Sequence, residues 1–167
     1  GLSAPSDRGG RLAAALAELC RALDADRVAV IARDATGRMD VRIQVPEPDE
    51  PSVASFSQTA VDRVTQGGEA LLATDIDDGS ELAGAESVQR FKIRSILAIP
   101  FAGDSPGGVL YVDSRSERRR FSADDLDFAA AFAFYLGAAW KRVEEVAHLS
   151  GELTKSNERL DVLEADL

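Results

Sequence analysis

The stretch FKIRSILAIPFAGDSPGGVLYVDS, residues 91–114, sets two nearly continuous apolar runs on either side of a turn rich in Gly and Pro. In the first run Ile96, Leu97, Ala98 and Ile99 follow one another without polar alternation, so a strand built from them cannot leave one face in water. Both of its faces must be covered. The rest of the chain has to supply a layer on each side.

There is enough chain to do so. With 167 residues and 45% apolar content, the sequence reads as one domain with an appendage, able to bury a real core. A net charge of −10 sets up a negative field that opposes direct contact with nucleic acid or an anionic membrane. The single cysteine, Cys20, excludes an internal disulfide framework, and the opening GLSAPSDRGG lacks a basic-then-apolar export pattern, which points to the cytoplasm. The most apolar segment, FAAAFAFYLGAAW at 128–140, is shorter than the roughly 18–20 residues that cross a bilayer and reads as a buried helix. The chain begins without Met and stops inside a repeating pattern at Leu167, so it reads as a piece of something longer.

Leu12, Leu16, Leu19 and Leu23 recur at helical spacing over 10–24 and predict a first helix, with Cys20 packed beside the stripe. DRVAVIAR at 26–33 is a β-branched, mostly apolar strand, and DATGR turns the chain back. In MDVRIQV, Met39, Val41, Ile43 and Val45 alternate with Asp40, Arg42 and Gln44. That pattern predicts a half-exposed strand with its apolar residues on one side, forming a hairpin with the strand before it. Phe56, Ala60, Val61 and Val64 trace a second helix over 55–68, ended by Gly67 and Gly68. ALLATD is a short strand, followed by a loop and a helical turn at 87–91. Ser122 in FSADDL is a helix N-cap, with Asp124 and Asp125 at the positive helix end and Phe121 stapled to Leu126. From Ala123 a long helix runs almost to the C-terminus.

Val146, Leu153, Leu160 and Leu167 are spaced by seven, Leu149 and Leu163 take the complementary positions, and Ser156 is the one polar interruption. This is a heptad seam, and Arg159 and Glu164 fall where a parallel partner sets opposite charges across it. A parallel dimer fits best; a helix folded back on its own domain is the alternative.

Residues with catalytic potential are sparse. GDSPG at 103–107 has the form of a hydrolase elbow around Ser105, but Pro106 follows the serine, a strand follows that, and the only histidine, His148, lies in the distal helix. It reads as a hairpin turn. Asp75, Asp77 and Asp78 resemble a calcium loop with Gly79 one place early, so no metal is expected. The basic run Arg118, Arg119, Arg120 reads as a solvated loop. No phosphate-binding glycine loop and no Cys/His metal spacing occur, so neither a cofactor nor an enzyme activity is expected.

The segments GGEALLATD, ESVQRFKIRSILAIPF, GGVLYVDS and FSADDLDFAAAFA, in that order, resemble the GAF family of sensory domains over 25–142. The resemblance implies an α+β, profilin-like fold: a six-stranded antiparallel sheet, helices on one face, and a lidded ligand pocket on the other. Residues 1–24 are then an N-terminal helix and 143–167 a coiled-coil signalling helix. Ile96 and Ala98, with Leu110 and Val112, are expected on one face, and Leu97, Ile99, Val109 and Tyr111 on the other. Phe91, Arg94, Ile96, Ala98, Tyr111, Asp113 and Asp75 sit on the strands and loops that flank the family's cavity, and are the expected pocket residues; for Arg94 and Asp113 an internal ion pair or a strand-end cap is the preferred reading. The cyclic-nucleotide branch has Asn-Lys after the last strand, where this chain has Asp113-Ser114. Bilin or haem attachment needs a pocket Cys or His, absent between 25 and 142.

The resemblance is narrower to input modules of bacterial transcription regulators that act through an alternative-sigma-factor polymerase. It implies a non-catalytic sensor, homodimeric through its N- and C-terminal helices, with a possible small-molecule ligand, passing its state along the coiled coil to an output domain. The alternatives are a ligand-free dimerisation module, or the input domain of a histidine kinase or nucleotide cyclase.

Overall fold

The two apolar runs become adjacent antiparallel strands, β4 (Ser95–Pro100) and β5 (Gly108–Ser114), in a computed structural model that describes residues 5–49, 56–74, 92–101 and 108–165. With β1 (Arg27–Arg33), β2 (Met39–Val45) and β3 (Leu71–Ala73) they form an antiparallel sheet in the order β2-β1-β5-β4-β3. Among the described residues the sheet has five strands, where the resemblance implies six. The expected turns and loops at 75–91 and 102–107, with Ser105, Asp77 and Asp78, lie outside the described residues.

Helices cover both faces. On one lie α1 (Pro5–Ala22), packed against β1 and β2, and α3 (Ala123–Ala165), packed against β4. The stripe of Leu12, Leu16, Leu19 and Leu23 is buried there with Val28, Val30, Leu97 and Ile99. Each such leucine is worth about 2 kcal/mol of apolar burial. On the other face α2 (Gln58–Gly67) packs Ala60, Val61 and Val64 against Ala29, Ile31, Ile96 and Tyr111.

The register corrects the expected assignment of faces. Ala98 stands opposite Tyr111 and Ile99 opposite Leu110, and cross-strand partners share a face. Ile96, Ala98, Val109 and Tyr111 therefore meet α2, while Leu97, Ile99, Leu110 and Val112 meet α1 and α3. The length of the turn sets this phase, and two uniformly apolar runs carry no alternation from which to read it.

A second correction concerns β2. Val30 pairs with Ile43 but Ile31 with Val41, so Arg42 is an extra residue, a β-bulge. Beyond it the alternation changes sides: Met39 and Val41 pack toward α2, and Ile43 and Val45 toward the α1 and α3 core.

Local chemistry marks the ends of the elements. Ser57 caps α2 by accepting from the Ala60 N–H, and Gly68, at φ 71°, closes it in a left-handed conformation that is cheap only without a Cβ. Gly108 is required for another reason: a Cβ there would lie 1.9 Å from the Phe101 ring. At the start of α3, Ser122 Oγ accepts from the Asp125 N–H at 3.2 Å and Asp125 Oδ2 accepts from the Ser122 N–H at 2.8 Å, a reciprocal cap. Arg119 departs from the solvated-loop expectation. Its Nε donates to the Leu23 carbonyl at 2.9 Å and its Nη2 to Asp125 at 3.2 Å, clamping the chain end of α1 to the beginning of α3.

Candidate functional site

The α2 face of the sheet is apolar except at one end, where β1 begins and β5 finishes. There Arg27 stands opposite Asp113, and Asp113 opposite Ile96 on β4. Both charged residues are buried, Asp113 completely at 0% exposure. Alternation puts them in phase with Ala29 and Tyr111, toward α2. Arg27 donates from Nε, at 3.1 Å, and from Nη2 to the same oxygen, Asp113 Oδ2. Its guanidinium also lies 5.5 Å from the centre of the Tyr111 ring. Among the described residues, Asp113 Oδ1 has no hydrogen-bond partner.

Tyr111 extends this network to the helix. Its hydroxyl accepts from the backbone N–H of Ser57, the cap of α2, at 3.2 Å. Phe56 meets the Tyr111 ring edge-on at 6.2 Å. Burial, and then the charge of Asp113, push the tyrosine hydroxyl well above its ordinary pKa, so it stays neutral and can donate its proton in turn. Burial also raises the pKa of Asp113, against the opposing pull of Arg27. The Tyr111 hydroxyl also acts on Asp113, and a buried carboxylate held by so few donors is sensitive to the loss of any one of them.

Of the expected pocket residues, Ile96, Ala98, Tyr111 and Asp113 come together on this face. Phe91 and Asp75 lie outside the described residues. Arg94 does not join them. It is partly exposed and pairs with the well-exposed Glu117 at 3.2 Å, while its backbone N–H donates to Ser114 O. Sequence reasoning missed Arg27, Phe56 and Ser57 as members of this site. The one available signal was a charge, Arg27, opening an otherwise buried strand; its partner becomes visible only once β1 is paired with β5.

Cys20 lies on the opposite side of the sheet, with the α1 core, and its thiol donates to Ala25 O at 3.2 Å. Burial raises its pKa, the reverse of what a reactive thiolate needs. Among the described residues no group of three or more acidic, Cys or His side chains could hold a metal ion, and no helix is long and apolar enough to cross a membrane.

The rod half of α3 offers a different kind of site. Leu149, Leu153, Leu160 and Leu163 are each more than half exposed, Ser156 is exposed, and Val146 is half-buried. Leu167 lies outside the described residues.

Comparison with known proteins matches residues 7–140 to the GAF domain family, a span that begins inside α1. No curated protein matches the chain. Among solved structures, the GAF domain region of a putative membrane protein from Geobacter sulfurreducens PCA has 20% identity and a TM-score of 0.66, over 81% of this chain and 93% of that one. The photoproduct state of GAF3 from Slr1393 of Synechocystis sp. PCC6803 has 21% identity and a TM-score of 0.66, over 85% and 98%. The blue-light absorbing form of the Thermosynechococcus elongatus PixJ GAF domain has 22% identity and a TM-score of 0.63, over 93% and 97%. At these identities the likeness is one of fold.

Proposed function

The chain belongs to the GAF domain family, and from that premise we propose that it is a non-catalytic signal-input domain of a bacterial signalling protein. It senses at the α2 face of the sheet, around Asp113 and Tyr111, and works as a homodimer joined by its terminal helices. The observation that carries this reading is α3 itself: one helix, Ala123–Ala165, packs on β4 with one part and presents an uncovered heptad seam with the next. A change in how the sheet sits on α3 alters the geometry in which two seams meet. Coupling of about 1–3 kcal/mol is enough for regulation of this kind. The output domain assigned to it is that of a transcription regulator, with a histidine kinase or nucleotide cyclase as the other candidates.

The test asks whether the two ends of α3 exchange free energy. Asp113→Asn alters the sensing network without touching the seam, and Ser156→Leu alters the seam alone. Sedimentation equilibrium should show Ser156→Leu tightening the dimer and Asp113→Asn shifting its dissociation constant by roughly fivefold or more. An unshifted constant in Asp113→Asn would remove the transmission mechanism.

One observation favours a second reading. The α2 face is filled by the protein's own side chains, with Phe56, Ile93 and Tyr111 all almost fully buried. The domain would then be a ligand-free dimerisation module. A thermal-shift screen with small polar metabolites separates the two, since a ligand that raises the melting temperature of the wild type but not of Asp113→Asn supports sensing.

A further inference from the structure

The end of α1 is closed by a motif that leaves one carbonyl to be met from far along the chain. The Ala25 N–H donates to Cys20 O at 3.0 Å and the Asp24 N–H to Arg21 O at 3.1 Å, with Asp24 in the left-handed region at φ 49°. This pair of bonds satisfies two of the carbonyls that a helix end leaves open, and its central position is one that glycine usually takes and aspartate tolerates. The Leu23 carbonyl, at the negative end of the helix dipole, is met by Arg119 Nε at 2.9 Å, 96 residues further on.

The chain leaving α1 is tied to β5 and to the connector into α3 at two further points. The Asp26 N–H donates to Asp113 O at 3.0 Å, and Asp26 Oδ2 accepts from the Arg115 N–H at 2.6 Å. Arg119 completes the crossing. While its Nε holds Leu23 O, its Nη2 donates to Asp125 Oδ1 at 3.2 Å, and the guanidinium lies 5.8 Å from the centre of the Phe121 ring. The other oxygen of Asp125 takes the Ser122 N–H in the cap of α3. The two side chains are only 30% and 18% exposed, so water screens this pair less than an ordinary surface bridge. One planar cation thus spans the negative end of α1 and the acidic first turn of α3, with a nitrogen for each. Apolar packing is non-directional, whereas two hydrogen bonds from one rigid fork hold their partners in a fixed relation.

We propose that Arg119 is a coupling residue that makes α1 a second input to α3: a displacement at the end of α1 reaches the first turn of α3 through this side chain, without a change at the face that holds Asp113 and Tyr111. The inference rests on α3 being the output helix of the proposed function, and adds a route to it. It also gives the basic run at 118–120 a role, carried by its middle residue.

The experiment follows amide hydrogen exchange in the whole chain, residue by residue, by NMR. Coupling is reciprocal, so a change made on α3 and read on α1 measures the same quantity. Asp125→Asn alters α3 alone, and is expected to speed exchange at Leu23 and Ala25 by about fivefold or more relative to Val30 in β1, which reports global stability. Arg119→Gln should do the same, and adding Asp125→Asn to it should change Leu23 and Ala25 no further. Arg119→Lys keeps the charge without the planar fork, and is expected to behave as Arg119→Gln. Equal acceleration at Leu23, Ala25 and Val30 is a loss of global stability and overturns the inference. So does an effect of Asp125→Asn on α1 that survives in Arg119→Gln, or coupling that persists in Arg119→Lys. Failure of Asp113→Asn to shift the dimer would end the sensing route and leave this measurement unchanged, because it is read within one chain.

Discussion

The two faces of the sheet are built to different rules. Against α1 and α3 the contact is a leucine and valine interior in which the strand residues Val28, Leu97, Leu110 and Val112 pack among other apolar side chains. Against α2 the sheet ends in an ion pair, a tyrosine hydroxyl and a helix cap. The first kind of contact depends on volume and is indifferent to charge, which suits a surface that holds a long helix in place. The second depends on which protons and donors are present, and so can exist in more than one state. Under the proposed function, anchoring falls to the first face and response to the second.

The largest expected effect tests the responsive face. Arg27→Met leaves Asp113 buried and unpaired, and should cost about 3–5 kcal/mol in urea unfolding. The loss should be larger at neutral pH than at a pH near the ordinary carboxylate value. Burial already raises the folded-state pKa of Asp113 and without Arg27 it rises further, so the native chain holds a proton that the unfolded chain releases, and stability falls as pH rises above the ordinary carboxylate range. A loss that is flat with pH would break the contrast between the faces.

Next in size is Leu97→Ala on the anchoring face. It should cost about 3 kcal/mol through lost burial and the cavity left behind, and that loss should be the same at both pH values. A smaller test concerns the aspartate at the start of α3. Burial acts to raise the pKa of Asp125, but the Ser122 N–H and Arg119 outweigh it and hold it below the ordinary carboxylate value. Asp125→Ala should therefore cost about 1 kcal/mol at neutral pH. That difference should disappear as pH falls through the lowered pKa, where the wild type loses the same stabilisation; the sign is opposite to that expected of Arg27→Met. Smallest of all, Arg94→Ala removes an ion pair in which both partners are partly in water. A change of less than about 0.5 kcal/mol is expected, and a larger one would mean that Arg94 belongs with Asp113 after all.

How much of this could be read from the residues depends on whether the deciding interaction is local. The buried strands, the leucine stripe of α1 and the Ser122 cap all follow from neighbours within a few positions, and the structure has them where the pattern put them. The Arg42 bulge does not, because an alternating strand looks the same whether or not its partner skips a residue. Nor does the relative phase of β4 and β5. The responsive site was half legible: Asp113 and Tyr111 lie on a strand that could be recognised, whereas Arg27 and Ser57 reach them only through pairings 86 and 54 residues away in the chain. Arg119 was hidden for the same reason, since its carbonyl partner lies 96 residues back.

The unbroken length of α3 has a mechanical consequence. Past Trp140, which still packs against the core, the helix extends about 37 Å to Ala165 at its ordinary rise per residue, stiff by virtue of its hydrogen-bonded backbone. It is a lever whose short arm rests on β4, and a tilt of about 5° there swings the far tip by about 3 Å. Under the proposed function, a small displacement of the sheet would thus arrive at the end of the helix as a movement comparable to half the pitch of an α-helix.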